Sequence, residues 1–435
     1  MRPVRAGIVL ACCAAAALAV TPSATPTKNA AKKKTAAGKK PAAAPVSPAM
    51  RQAALEAVIA RTSAPANSIE GAGALVPFFE QVSHPGRNGP VRILQYGDSH
   101  TAADDWADEM RQNFQRKFGA GGPGFTLAGH PFLGYRRFDS RGSSSRGWYT
   151  DGLVTRKGDG IYGLGGISLT AHAPAQTVAL SVECQDLELH YLQQPGGGQL
   201  EFSVDGAESA TIDTAGDLSP AIFHHTPSAG AHRYELRTLS ASPVRLFGWV
   251  AQNQSGVTYE TLGINGAQAD LQLEWNNAVL ASELSSRDPA LIVLAYGTNE
   301  ALSRTWTAEQ YRASLIEVIQ RVRAAAPLAS ILLVGPPDCQ YRLKGGGLRT
   351  FPHLDEVIEI QRQVALESGC AFWDWRARMG GPGSVKQWVQ AGLAQADHTH
   401  LTSAGYRRVG DMLFSEIMSQ YNHFLNAMAD RTNGQ

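Results

Sequence analysis

Apolar positions recur along this chain with periods that change twice. In the first third the spacing is helical around one strand. Met50 to Ala60 places Ala53, Leu55, Val58 and Ile59 on a short helix, and Leu75 to Val82 a second one anchored by Phe78 and Phe79. Val91 to Tyr96 is an apolar strand that runs straight into Gly97-Asp98-Ser99. Asp104 to Phe118 then carries Trp106, Met110, Phe114 and Phe118 at i, i+4, i+8 and i+12, one core-facing stripe that Gly119 ends. From about Trp148 to Gln252 the helical period is gone. Alternating runs replace it at Gly166–Ala171, Thr177–Val182, Leu187–Leu192, Leu200–Val204, Arg233–Leu239 and Val244–Val250, with turns such as Gln194-Pro195-Gly196 and Asp205-Gly206 between them. Short strands at this spacing predict a β-sandwich or jelly roll.

After Tyr259 the first pattern resumes. Asp270–Leu284 reads as a helix and Leu291–Tyr296 as a strand buried on both faces. Thr307-Ala308-Glu309-Gln310 is a capping box opening a helix with Tyr311, Leu315, Val318, Ile319 and Val322 inward. Strand Ile331–Val334, helix Asp355–Ser368, strand Ala371–Trp375 and a last helix capped by Thr402 and running to about Leu425 complete the chain. Strands alternating with helices predict an α/β fold, a parallel sheet with helices on both faces. Residues 49–147 and 253–435 would form this one discontinuous domain, with 148–252 an inserted β-sandwich.

The N-terminus has another character. Arg2 and Arg5 precede an apolar, alanine-rich run from Ala6 to Val20, and Ala17-Leu18-Ala19 is a small-x-small cleavage site. Residues 1–24 therefore read as a signal peptide, which directs the protein to the periplasm or outside the cell. Two other readings are a lipoprotein, resting on Val9-Leu10-Ala11-Cys12, and a retained signal anchor. No later stretch is long and apolar enough to span a membrane. Residues 25–48 are a low-complexity linker of Ala, Pro, Thr and six lysines without an acid, a composition that predicts disorder. Arg2, Arg5 and those lysines hold eight positive charges, so the net charge of +1 leaves −7 on the remainder. A basic tether on an acidic body is a flexible spacer, or else an electrostatic hold on an anionic envelope polymer. The overall balance implies no nucleic-acid partner. Outside the signal region stand Cys184, Cys339 and Cys370. An odd count without a CxxC pattern argues against a disulfide framework or a zinc site, and leaves a Cys339–Cys370 bridge open.

Four stretches carry candidate chemistry. Ser99 sits at a strand-to-helix turn, which lifts a hydroxyl off the sheet edge beside a helix N-terminus. Near the C-terminus, Asp397-His398-Thr399-His400 places an acid three residues before a histidine. Asp397 can hold the His400 ring in one tautomer, leaving the other nitrogen to take a proton from Ser99. Tyr296-Gly297-Thr298-Asn299-Glu300 ends a buried strand with an amide that could donate to an oxyanion. Leu262-Gly263-Ile264-Asn265-Gly266-Ala267 offers two glycines whose N–H could do the same. His398 points elsewhere, and with no third ligand at metal spacing no metal or other cofactor is expected. Asp98 and Asp104 are read as helix caps, and Trp373 and Trp375 as packing. Trp148 and Tyr149, at the domain junction, are the candidates for stacking on a sugar.

Taken in order, these blocks resemble the SGNH (GDSL-type) hydrolase superfamily. The resemblance implies a flavodoxin-like fold with Ser99 as nucleophile, His400 as general base then acid, and Asp397 as its orienting carboxylate. It implies an oxyanion hole of the Ser99 N–H, the Gly266 N–H and the Asn299 side chain, with Gly263 the rival for the glycine. His100 and Glu300 depart from the usual block sequences. Gly97-Asp98-Ser99-His100-Thr101-Ala102, Gly263–Ala267 and Tyr296–Ala301, together with the inserted β-domain, are more closely similar to periplasmic peptidoglycan O-acetylesterases, whose insert resembles a carbohydrate-binding module. That likeness implies removal of acetyl from the C6 hydroxyl of N-acetylmuramic acid in O-acetylated peptidoglycan. Acetyl transfer to a sugar hydroxyl, action on another acetylated polysaccharide, and noncatalytic envelope binding are the alternatives. The sequence leaves the oligomeric state open.

Overall fold

A computed structural model describes residues 47–433, apart from 65, 67 and 85–88. The expected signal peptide and nearly all of the lysine-rich linker lie outside the described residues. The central sheet has five parallel strands: Val91–Gly97 (β1), Val257–Gly263 (β2), Leu291–Ala295 (β3), Ser330–Val334 (β4) and Ala371–Trp373 (β5). Their spatial order is 2-1-3-4-5, and the two-residue strand Ile69–Glu70 closes the β5 edge antiparallel. This is a doubly wound, flavodoxin-like order, whose ligand crevice opens where the chain reverses direction between β1 and β3.

Both faces of the sheet are covered because the strands are apolar on both. Leu94, Tyr96, Ile292, Leu294, Ile331 and Leu333 face one core, shared with helices Ala308–Ala325 and Leu354–Glu367. Ile93, Leu291, Val293, Leu332 and Trp373 face the other, with helices Pro48–Ser63, Asp105–Phe118 and Ser403–Asn433. The expected stripe holds: Trp106, Met110 and Phe114 are buried, and Phe118 packs against them at the margin. The Thr307 capping box is formed in both directions, with Gln310 N–H to Thr307 Oγ1 at 3.3 Å and Thr307 N–H to Gln310 Oε1 at 2.8 Å. One expected element differs. Asp270–Leu284 is not one helix but a 3-10 turn, Ala269–Glu274, and a helix, Asn277–Arg287. Asn276 breaks them, its side chain accepting from the N–H of Ala278 and Val279, the competition with helix that asparagine's short amide allows.

Between β1 and β2 the chain builds two antiparallel sheets from strands running from Gly124 to Gln252. One orders Ala207–Asp213, Gln199–Val204, Ala231–Thr238, Thr177–Glu183 and Arg141–Ser144. The other orders Ser219–His225, Asp186–Gln193, Val244–Gln252, Ser168–Ala171 and Trp148–Asp151, with Gly124–Leu127 also paired to Val244–Gln252. They face each other across a core in which Phe202 of one meets Phe223 of the other at 5.1 Å between ring centroids. Strands Gly124–Leu127 and Arg141–Ser144 thus lie upstream of residue 148. The sandwich is joined to the α/β layers through a shared apolar core and through buried charge. His190 of the sandwich bonds Glu283 at 3.1 Å, and Arg287, paired with Glu260, donates to the Gln252 side chain of the sandwich at 2.7 Å.

Candidate active site

The C-terminal ends of the strands are level. Gly97 pairs with Gly263 on one side and Ala295 on the other, and Ala295 with Val334. The loops that follow β1, β2 and β3 therefore start from one row, and the three candidate blocks they carry open on the same edge. At the end of β1, glycine is required: a Cβ on Gly97 would lie 2.2 Å from Thr101 Oγ1 and 2.7 Å from the Ala295 carbonyl. Its absence lets the one-turn helix Ser99–Ala102 fold back against the strand. Asp98 caps that turn, accepting from the His100 N–H at 2.9 Å. Buried Gln95 holds it from below, donating to Thr101 Oγ1 at 3.0 Å and accepting from the Tyr259 hydroxyl at 2.7 Å.

Ser99 is half-buried at the head of this turn, and the last loop reaches it. His400 Nε2 lies 3.0 Å from Ser99 Oγ, and His400 Nδ1 lies 2.8 Å from Asp397 Oδ2. The Thr399 and His400 N–H groups both donate to Asp397 Oδ1 at 3.0 Å. Burial alone would raise the Asp397 carboxyl, but the hydrogen bonds from His400 and from those two N–H groups outweigh it and hold it at about 2. In return, the hydrogen bond to Asp397 pushes His400 above the ordinary histidine value. Burial raises Asp98, beneath the turn, to about 6. His100, whose ring is 5.2 Å from that of His400, is buried and bonded to the Tyr406 hydroxyl at 2.8 Å. Burial, then His400, drives it well below the usual value.

The other two blocks meet beside the serine. Asn299 donates to the Ala267 carbonyl at 2.9 Å, with Asp98 Oδ2 at 3.4 Å from the same nitrogen. Glu300, buried, ties both loops together: it accepts from the Ala269 N–H at 2.8 Å and from the Gly297 N–H at 3.0 Å. Burial pushes this carboxyl up to about 8. The two glycines of the β2 loop differ in kind. A Cβ on Gly263 would strike the Ala102 nitrogen at 2.2 Å, so Gly263 is needed for close packing of the serine turn. Gly266 has φ +78, and a Cβ there would meet only Val154 Cγ2, at an ordinary 4.0 Å. Among the described residues, its N–H and that of Ser99 donate to no protein acceptor.

Residues 230–408 match the GDSL-like lipase/acylhydrolase family. A peptidoglycan O-acetylesterase of known structure is 27% identical, with a TM-score of 0.70, and the match covers 82% of this chain and 99% of that one. Together these matches support an SGNH-type carboxylic ester hydrolase near the peptidoglycan O-acetylesterases. The family match begins inside the β-sandwich and so omits Ser99; the fold returns that serine to the other blocks. Two more distant structures are a family two carbohydrate esterase from Cellvibrio japonicus (11% identity, 65% of this chain, 98% of that chain, TM-score 0.28) and a salicylyl-acyltransferase from a tetracycline biosynthetic pathway (16% identity, 65%, 98%, TM-score 0.30). No protein of curated function matches the sequence.

The remaining candidates of this SGNH hydrolase fall as follows. Trp148 is half-buried and its indole N–H donates to the Thr177 carbonyl at 3.0 Å. Tyr149 is 52% exposed, with the Arg156 guanidinium 5.4 Å from its ring centroid. Among the described residues neither touches Ser99, Asp397 or His400. Other parts of the sandwich segment come nearer: Asn265, beside Gly266, donates to the Leu133 carbonyl at 3.2 Å. Trp373 and Trp375 are packing, as expected, although Trp375 opens a helix and lies against His100. Cys339 and Cys370 are free thiols. β4 and β5 are parallel, and Cys339 follows the C-terminal end of one while Cys370 precedes the N-terminal end of the other, so they lie at opposite edges of the sheet. Among the described residues no three His, Cys, Asp or Glu side chains gather as metal ligands, and no helix is long and apolar enough to cross a membrane. Sequence reasoning noted Glu300 only as a departure from the usual block and missed that it ties the two loops together. An acid directly after Asn299 in an otherwise apolar strand-to-helix junction was the available signal, because such a group needs donors.

Proposed function

We propose that this hydrolase removes O-acetyl groups from peptidoglycan, at the C6 hydroxyl of N-acetylmuramic acid, through an acetyl-enzyme intermediate. The observation that carries this reading is the similarity to a peptidoglycan O-acetylesterase over nearly the whole of that protein and, in this chain, across the sandwich as well as the α/β layers. The expected signal sequence agrees with such a site of action, since the substrate lies outside the cytoplasm. The β-sandwich is proposed as a glycan-facing domain inserted in a discontinuous hydrolase domain, with Tyr149 better exposed than Trp148 for stacking on a sugar.

In the mechanism, Ser99 Oγ attacks the acetyl carbonyl while His400 Nε2, 3.0 Å away, takes its proton. Asp397 fixes the tautomer and stabilises the imidazolium. The oxyanion is received by the N–H groups of Ser99 and Gly266 and by Asn299. Support for Gly266 over Gly263 comes from its unpartnered N–H and from the packing duty of Gly263. The Ala267 carbonyl orients the Asn299 amide through one hydrogen, and the other, on a long 3.4 Å contact to Asp98 Oδ2, would turn to the oxyanion. His400 then returns its proton to the sugar alkoxide as the C–O bond breaks, activates water against the acetyl-enzyme, and acetate leaves. The test is acetate release from O-acetylated peptidoglycan compared with acetylated xylan and longer-acyl esters. Preference for xylan, or an undiminished rate in Ser99→Ala, would overturn the reading.

A further inference from the structure

Beyond β4 the chain leaves the sheet edge and forms a hairpin, Gln340–Arg342 paired with Leu348–Thr350. Its base is fixed to the catalytic loop: the Gln340 N–H donates to the His398 carbonyl at 3.0 Å. Tyr341 packs on Phe351 at 6.1 Å, which holds the stem against the body. Past this anchor Arg342, Lys344 and Arg349 are exposed, and no acid stands between Gln340 and His353. Across His398, Lys386 is exposed as well. Among the described residues none of the four cations pairs with a carboxylate. Arg342 and Lys386 both bear on His398, which burial first, and then Arg342, keeps below the ordinary histidine value. Arg342 and Lys386 thus flank the loop that carries Asp397 and His400, and Lys344 and Arg349 lie on the same hairpin as Arg342, on a body whose net charge without its N-terminal segment is −7. Unpaired cations on a hairpin anchored to the loop of Asp397 and His400 are suited to an anionic group on the substrate.

We propose that Arg342, Lys344 and Arg349, with Lys386 opposite, form a carboxylate subsite that reads the stem-peptide carboxylates of the glycan while its acetyl ester lies at Ser99. The inference rests on the peptidoglycan reading above. It makes the charge of the substrate, and not only its sugar, a determinant of specificity. The subsite acts on binding and leaves the acetyl chemistry to Ser99 and His400.

The test compares the full chain with the triple variant Arg342→Gln, Lys344→Gln, Arg349→Gln. Two substrates are used: O-acetylated peptidoglycan with free peptide carboxylates, and the same material amidated through carbodiimide coupling. Hydrolysis of p-nitrophenyl acetate reports that Ser99, His400 and Asp397 remain assembled. An exposed ion pair changes affinity by roughly 1.4- to 5-fold, so the set predicts about a tenfold preference of the native chain for the free-carboxylate substrate, expressed in KM. The preference should shrink in high salt and fall to about twofold or less in the triple variant, which keeps Lys386. A native chain that cleaves both glycans equally, or a triple variant that keeps the preference, overturns the subsite and leaves the proposed substrate standing. Turnover of p-nitrophenyl acetate with no acetate released from either glycan overturns the substrate assignment and the subsite together.

Discussion

Replacing Glu300 by alanine should damage catalysis and stability together, although Glu300 itself touches no reacting atom. The side chain is buried and its two oxygens serve different loops, one the Ala269 N–H at 2.8 Å and the other the Gly297 N–H at 3.0 Å. Alanine leaves both donors buried without an acceptor. At about 1–3 kcal/mol for each unsatisfied group, the loss of stability is roughly 2–6 kcal/mol. The same cut frees the β2 loop, with Gly266, from the β3 turn, with Asn299. Loss of one oxyanion donor slows acyl transfer by about 10²–10³, and a loosened pair should lie near the lower end of that range. KM for a small ester should change little, since the loss falls on the transition state. Urea unfolding monitored by tryptophan fluorescence gives the first quantity, and steady-state hydrolysis of p-nitrophenyl acetate the second. Glu300→Gln retains one acceptor oxygen and should fall between native and alanine in both. A folded Glu300→Ala protein with kcat within about threefold of native would refute the positioning role. So would a loss confined to KM.

Three further outcomes follow from the same geometry. Asp397→Asn should lower kcat by roughly 10²–10⁴ and move the acid limb of the kcat/KM–pH profile downward. The native limb should lie above the ordinary histidine value because Asp397 stabilises protonated His400, and a profile left in place would count against that pairing. Gly266→Ala should cost about 1–2 kcal/mol of backbone strain at φ +78 and reduce kcat about tenfold without altering the fold by circular dichroism. His190 links the sandwich to helix Asn277–Arg287. Burial disfavours its charge, but Glu283 and Glu188 prevail and raise it to about 9. A folded-state value above the unfolded one stabilises most fully below about pH 6.5, and that contribution, about 3 kcal/mol, is lost as pH rises through 9. Thermal unfolding between pH 6 and 9.5 should show the decline, and His190→Gln should flatten it.

How far the sequence could be read follows from the range of the forces involved. Hydrophobic period, caps and turn glycines act over a few residues. The Trp106–Phe118 stripe, the Thr307 capping box and the strands on either side of the sandwich were therefore legible directly. Ser99, Asn299, Asp397 and His400 were legible as candidates because each stands at a strand end or a capped helix start, where local chemistry marks it. The Asn276 break was not, since an apolar period continues through it and only the capping geometry of one side chain decides the outcome.

Other features required the tertiary fold. The level ends of β1, β2 and β3 bring Ser99 within 3.0 Å of a histidine 301 positions later, a distance no local pattern encodes. Cys339 and Cys370 flank neighbouring strands in sequence, yet parallel pairing sets them at opposite sheet edges. The two glycines of the β2 loop look alike in sequence, and only the approach of Ala102 gives Gly263 a packing duty and leaves the Gly266 N–H free. Glu300 and the Gln340–Thr350 hairpin acquire their places in the same way. The sequence determined which residues could do chemistry at each strand end; the register of a parallel sheet, a sum of many weak contacts between distant segments, decided which of them meet.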